Sequence, residues 1–196
     1  MIRDACLQAL ASHYRGEIVV SVYTTCFEWL AIRPDALNYV SVGAMGQACS
    51  HGLGLALGRP DKRVLVLDGD GSLLMNLGAL VTIGGAAPRN LSHFVFQNGT
   101  YEANGGHPLP GPSPLEFRDI ARAAGYRETY MFDRQEAFRD ALPELLRAPG
   151  PVFADLRVAP SRHGYPQDYP YLHSAEARRR FREALANDAW ARAGLS

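Results

Sequence analysis

Short apolar runs rich in β-branched residues alternate along the chain with longer stretches in which apolar residues recur every three or four positions. The runs are Glu17 to Val22, Tyr39 to Val42, Arg63 to Leu67, Leu91 to Phe96, Tyr126 to Phe132 and Pro151 to Val158, and each reads as a strand. Helical spacing between and around them predicts helices over about residues 2–13, 45–57, 73–86, 114–124, 134–147 and 174–187. Repeated alternation of strand and helix predicts an α/β fold with a mostly parallel central sheet flanked by helices. Ser113-Pro114 predicts a helix start, with serine as the cap and proline at the first helical position. Two stretches break the pattern and read as loops: Gly99 to Gly111, rich in Gly and Pro, and Ala159 to His173, rich in Pro and Tyr.

A length of 196 residues suits one domain, residues 1–196, with 159–196 forming a C-terminal loop and helix. Twenty basic residues balance twenty acidic ones, so no broad surface potential draws nucleic acid or an anionic membrane. Cys6, Cys26 and Cys49 form neither a CxxC pair nor a disulfide framework, which fits a reducing compartment. No run approaches the roughly 18 apolar residues of a membrane span, and the first residues do not resemble a secretory leader. The expectation is a soluble, cytoplasmic protein.

The densest chemical signal is Val64-Leu65-Val66-Leu67-Asp68-Gly69-Asp70-Gly71-Ser72, a buried-strand pattern that runs into Gly-Asp-Gly and then a helix. In open α/β sheets ligands bind at the carboxyl ends of strands, where a helix N-terminus offers free N–H groups to phosphate. Glycines at 69 and 71 let the backbone approach a ligand, and the Asp70 carboxylate suits Mg²⁺, which prefers hard oxygen ligands shared with phosphate. Alone, Gly-Asp-Gly after a strand is more often a turn with a capping aspartate. A second strand ends at Asn98-Gly99-Thr100. Asn98 can give a side-chain oxygen and Thr100 a backbone carbonyl to the same metal, although Asn-Gly is also a common turn dipeptide.

Gly69-Asp70-Gly71, the helix Asn76-Leu77-Gly78-Ala79-Leu80, and Asn98 at that spacing resemble the signature of thiamine-diphosphate enzymes, in which Asp and Asn bind the metal that anchors the diphosphate. The resemblance implies the diphosphate-binding domain of that fold, with thiamine diphosphate and Mg²⁺ as cofactors and Asp70, Asn98 and Thr100 as metal ligands. It further implies that Val42-Gly43-Ala44-Met45-Gly46 lies against the aminopyrimidine, the Gly43 carbonyl accepting from its amino group and Met45 wedging the cofactor into its bent form. Thr25, with Thr24 as the alternative, and Ser72 are similar to the residues that donate to the diphosphate. The bland readings are a core methionine and surface hydroxyls. Gly43 to Gly106 is most similar to the decarboxylases of phosphonopyruvate and sulfopyruvate, although Gln97 stands where Asn or Asp is usual there.

That likeness implies decarboxylation of a small 2-oxo acid: the cofactor adds to the 2-oxo carbon, CO₂ leaves with the thiazolium as electron sink, and an aldehyde is released. The glutamate that activates the cofactor belongs to a pyrimidine-binding domain, expected on a separate subunit in a hetero-oligomer with at least two copies of each chain. A carboligase subunit, or a non-catalytic cofactor-binding module, are the alternatives. Glu102 as a proton relay and His107 as a substrate contact complete the candidates. Asn98 to Phe117 contains no Lys or Arg, so an anionic substrate group would need cations or N–H donors from elsewhere. His13, His51 and His93 read as structural, and Arg178-Arg179-Arg180-Phe181-Arg182 as a solvated face or a subunit contact.

Overall fold

Six runs pair side by side, four of them buried along nearly their whole length, in a computed structural model, which describes residues 1–34, 37–40, 45–111, 114–160 and 165–192. The strands are β1 (Ile18–Ser21), β2 (Asn38–Val40), β3 (Val64–Gly69), β4 (Leu91–Gln97), β7 (Glu128–Phe132) and β8 (Val152–Arg157), in the all-parallel order β2-β1-β3-β4-β8-β7. Each corresponds to a predicted run. The Gly-rich loop adds a two-stranded antiparallel hairpin, β5 (Thr100–Tyr101) and β6 (His107–Pro108), closed by a 3-10 turn at Glu102–Asn104.

Helices cover both faces, which is what strands apolar on both sides require. On one face α3 (Ala48–Gly58), α4 (Asp70–Met75), α5 (Ala79–Ala86) and α6 (Phe117–Ala123) pack on Val20, Val66, Val95 and Phe153. On the other, α1 (Arg3–His13), α2 (Tyr23–Ile32) and α7 (Gln135–Leu145) pack on Val19, Leu65, Phe94 and Ala154. A short α8 (Tyr169–Leu172) and a long α9 (Ala175–Arg192) finish the described chain beside β2. Phe181 of α9 packs edge-on against Tyr39, and Asp188 pairs with Arg59 and Lys62. The arginine cluster is thus mainly an exposed face, with Phe181 turned inward.

Three local expectations differ from the fold. The residues between Val22 and Tyr39 carried no helix prediction but contain α2. The predicted helix over 73–86 starts earlier, at Asp70, and breaks at Asn76–Gly78. The helix expected from Pro114 begins at Phe117, and the Ser113 cap lies outside the described residues.

Phe94 is fully buried and meets the ring of Phe138 edge-on at 6.4 Å. Phe94→Ala should lower stability by about 3–5 kcal/mol in urea unfolding, because a closely packed sheet-helix layer cannot collapse into the void. A loss below about 1 kcal/mol would contradict this packing.

Candidate functional site

β1 and β3 are neighbours in the sheet, yet β1 continues into α2 on one face and β3 into α4 on the other. Connections that part in this way leave a crevice above the strand ends, where ligands of open α/β sheets bind. The first turn of α2 (Tyr23, Thr24, Thr25), the first turn of α4 (Asp70, Gly71, Ser72), Gly69, Met45 and the Asn98–Asn104 loop line this crevice, and Arg3 closes one side. No N-cap side chain bonds either helix start, so first-turn N–H groups other than that of Gly71, which Asp70 takes, are left for an anion.

Asp70 is only 2% exposed. Its Oδ1 accepts from Gly71 N–H at 2.9 Å and its Oδ2 from Gly99 N–H at 2.7 Å. Burial pushes its carboxyl above the ordinary carboxylate range, and the backbone donors draw it partly back; no cationic side chain contributes. A buried carboxylate in that position favours a bound cation. Asn98, at the end of the adjacent strand, accepts at Oδ1 from Thr100 N–H at 2.9 Å and Thr100 Oγ1 at 3.2 Å, while its Nδ2 donates to Glu102 at 3.0 Å. One carboxylate, one amide oxygen and a nearby backbone carbonyl make a hard-oxygen set suited to Mg²⁺. Among the described residues no three His, Cys, Asp or Glu side chains cluster as a metal cage, so such an ion would complete its shell from ligand oxygens or water.

The two glycines of the motif do different work. Nothing lies within 4 Å of where a Cβ on Gly69 would project, so the backbone there is open. At Gly71 a Cβ would come within 2.6 Å of the Tyr101 ring, so this glycine makes room for the hairpin. Met45 is half-buried on the crevice, outside the hydrophobic layers. The turn behind it is pinned at both ends: Gly46 N–H donates to Ser72 Oγ at 3.0 Å, and Asn76 Nδ2 donates to the Gly46 carbonyl at 2.8 Å. Gly46 has φ +79°, which glycine adopts without strain.

Of the sequence-predicted residues, Thr25, Met45, Gly69, Asp70, Gly71, Ser72, Asn98, Thr100 and Glu102 come together, as does Thr24. Gly43 lies outside the described residues. His107 sits exposed on β6 and is not among the crevice residues. His93 is buried between Tyr126 and Asp68, and His13 bonds within its own helix, as structural histidines do. Arg3 was missed, since nothing in its local sequence marks it.

Residues 20–156 match the family of thiamine pyrophosphate enzymes' C-terminal TPP-binding domain. The chain belongs to that family. Phosphonopyruvate decarboxylase of Streptomyces viridochromogenes is 40% identical over 146 residues, 74% of this chain and 36% of that one. Sulfopyruvate decarboxylase of Methanosarcina acetivorans is 34% identical over 186 residues, 94% and 47% of the two chains. The chain therefore spans about a third to a half of the length of these relatives. Sulfopyruvate decarboxylase subunit beta of Methanococcus maripaludis is 28% identical over 94% of this chain and 98% of its own. Benzoylformate decarboxylase from Polynucleobacter necessarius shares the fold, with a TM-score of 0.68 at 22% identity over 82% of this chain and 34% of that one.

A second acid stands beyond the crevice of this TPP-binding domain. Asp155 on β8 is fully buried, and neither carboxylate oxygen has a hydrogen-bond partner among the described residues. Burial pushes it up to about 7, with Arg157 opposing the shift and Glu116 and Asp70 adding to it. The folded chain thus keeps a proton that the unfolded chain releases near pH 4, so this group's contribution to stability is present at low pH and is lost as pH rises from about 4 to 7. Urea unfolding at pH 4 and pH 8 should show a fall in stability about 1–3 kcal/mol larger for the native chain than for Asp155→Asn. Equal falls would mean that Asp155 ionises freely in the fold.

Proposed function

We propose that this chain is the diphosphate-binding part of a thiamine-diphosphate- and Mg²⁺-dependent decarboxylase of a small 2-oxo acid, of the sulfopyruvate or phosphonopyruvate kind. The observation that carries the reading is the meeting of Asp70 and Asn98 at adjacent strand ends beneath two uncapped helix starts. The names of the relatives support the reaction class. Asp70, Asn98 and the Thr100 carbonyl would hold Mg²⁺, while Thr25, Ser72 and the open backbone at Gly69 would receive the diphosphate. Ser72 Oγ accepts from Gly46, which leaves its O–H to donate. Met45 would support the rings from the side of the Gly46 turn. When bound, the cofactor supplies the electron sink for loss of CO₂.

The activating glutamate is proposed to lie outside this chain, on a pyrimidine-binding subunit. Asp70 and Glu102 are the carboxylates that line the crevice among the described residues. Glu28 is buried against Arg3, and Glu17 precedes β1, at the strand end remote from the crevice. The near full-length match to a protein named as a beta subunit supports a two-chain enzyme, proposed to hold at least two copies of each chain. Buried, unpaired Cys6, Cys26 and Cys49 agree with a cytoplasmic setting, and no helix among the described residues is long and apolar enough to cross a membrane.

Mixing the chain with a pyrimidine-binding subunit, Mg²⁺ and thiamine diphosphate should release CO₂ from a 2-oxo acid, with the chain alone inactive. Activity of the pure chain alone would overturn the split site, and a coupled product in place of the aldehyde would overturn decarboxylation as the outcome. Asp70→Ala should weaken cofactor binding in Mg²⁺ by more than the roughly 10–100-fold lost when a residue behind a metal ligand is removed. Met45→Ala should lower kcat more than cofactor affinity, and should cost less than the roughly 2–5 kcal/mol of a core methionine in thermal melting. An unchanged kcat would remove Met45 from the site.

A further inference from the structure

Arg3 lies in the first turn of α1, far in sequence from every residue of the Gly-Asp-Gly and Asn-Gly motifs, yet its guanidinium reaches the crevice at 4% exposure. Nε and Nη2 donate to the two oxygens of Glu28 at 2.6 and 2.8 Å, and Nη1 donates to Glu102 Oε2 at 2.6 Å. The same Glu102 oxygen accepts from Asn98 Nδ2 at 3.0 Å. A continuous line of contacts therefore runs from α2 through α1 to the 3-10 turn and on to the end of β4.

We infer that Arg3 and Glu102 are positioning residues that fix the orientation of the Asn98 carboxamide for a bound divalent cation. This rests on the cofactor-site reading above. A carboxamide has one accepting end and one donating end, and only the oxygen can bind a cation. An ionised Glu102 only accepts, so it selects the orientation with Nδ2 toward itself. The opposite end meets the Thr100 N–H, which only donates and so selects Oδ1. A flipped amide would set oxygen against carboxylate at one end and N–H against N–H at the other. Two neighbours of opposite kind thus determine a single orientation.

Arg3 makes the arrangement persist. Glu102 belongs to a three-residue turn in a Gly-rich loop, beside a crevice that already holds the Asp70 carboxylate. Without a counter-charge, repulsion from Asp70 would favour its turning to solvent. Burial works against the Arg3 charge, but its hydrogen bonds to Glu28 and Glu102 outweigh that and hold its proton above the ordinary range. Glu28 takes the Nε–Nη2 edge of the planar guanidinium and leaves Nη1 to aim at Glu102, a geometry that a lysine cannot reproduce.

The test is titration of Mn²⁺, in place of Mg²⁺, into the assembled protein saturated with thiamine diphosphate, with free Mn²⁺ read from its EPR signal. Melting curves on the same samples set a temperature at which every variant is folded. Glu102→Gln and Arg3→Lys should each weaken Mn²⁺ binding by roughly 10–100-fold, the range for groups that orient metal ligands. Native Mn²⁺ affinity in folded Glu102→Gln, while Asp70→Ala binds none, would overturn the inference and leave the cofactor site standing. Native affinity in Asp70→Ala itself would overturn the cofactor site and this inference together.

Discussion

Two neighbouring strands that send their chains to opposite faces of the sheet create the space on which everything else here depends. A parallel sheet covered on both sides has no room for a ligand over its middle, because every strand there is packed above and below. The parting of α2 and α4 from β1 and β3 opens a place where backbone N–H groups, a buried acid and the next strand end face each other. The Asp70 carboxylate tolerates its burial because Gly71, in the first turn of α4, and Gly99, in the loop after β4, both donate to it. The Gly99 bond also ties the β3 and β4 ends together.

The crevice is held in shape by bonds and contacts within and just behind its lining. Ser72 and Asn76 grip the N–H and the carbonyl of Gly46, so that the turn carrying Met45 is set by the helix that follows β3. Tyr101 lies over Gly71 and joins the hairpin to the same helix. These contacts make the Gly-Asp-Gly helix a hub rather than a simple anchor for phosphate.

Much of this was legible in the sequence, and what was not has identifiable physical reasons. All six sheet strands stood out as short apolar runs, and the Asp70 and Asn98 segments were recognisable because their chemistry is local. Helix α2 was invisible because Thr25 to Trp29 are buried in succession, which erases the polar face that marks a helical period. It also begins without a capping side chain, because the position serves the crevice instead. Arg3 escaped notice because its role comes wholly from contacts with Glu28 and Glu102, which the sequence separates widely. His107 drew attention as the sole basic side chain of its loop, yet the β5-β6 pairing carries it to the exposed strand, away from the crevice.

The order of strands along the chain differs from their order in space, and this bears on synthesis. β2, β1, β3 and β4 can assemble from residues 18–97, but the partner on the open side of β4 is β8, made last of all. All seven residues of β4 are buried in the finished sheet. Until Val152–Arg157 leaves the ribosome, that strand presents a bare apolar edge, the kind of surface on which nascent chains cross-associate. The interval between the two strands, filled by the hairpin, α6, β7 and α7, is therefore the stage of biogenesis at which this chain depends most on chaperones.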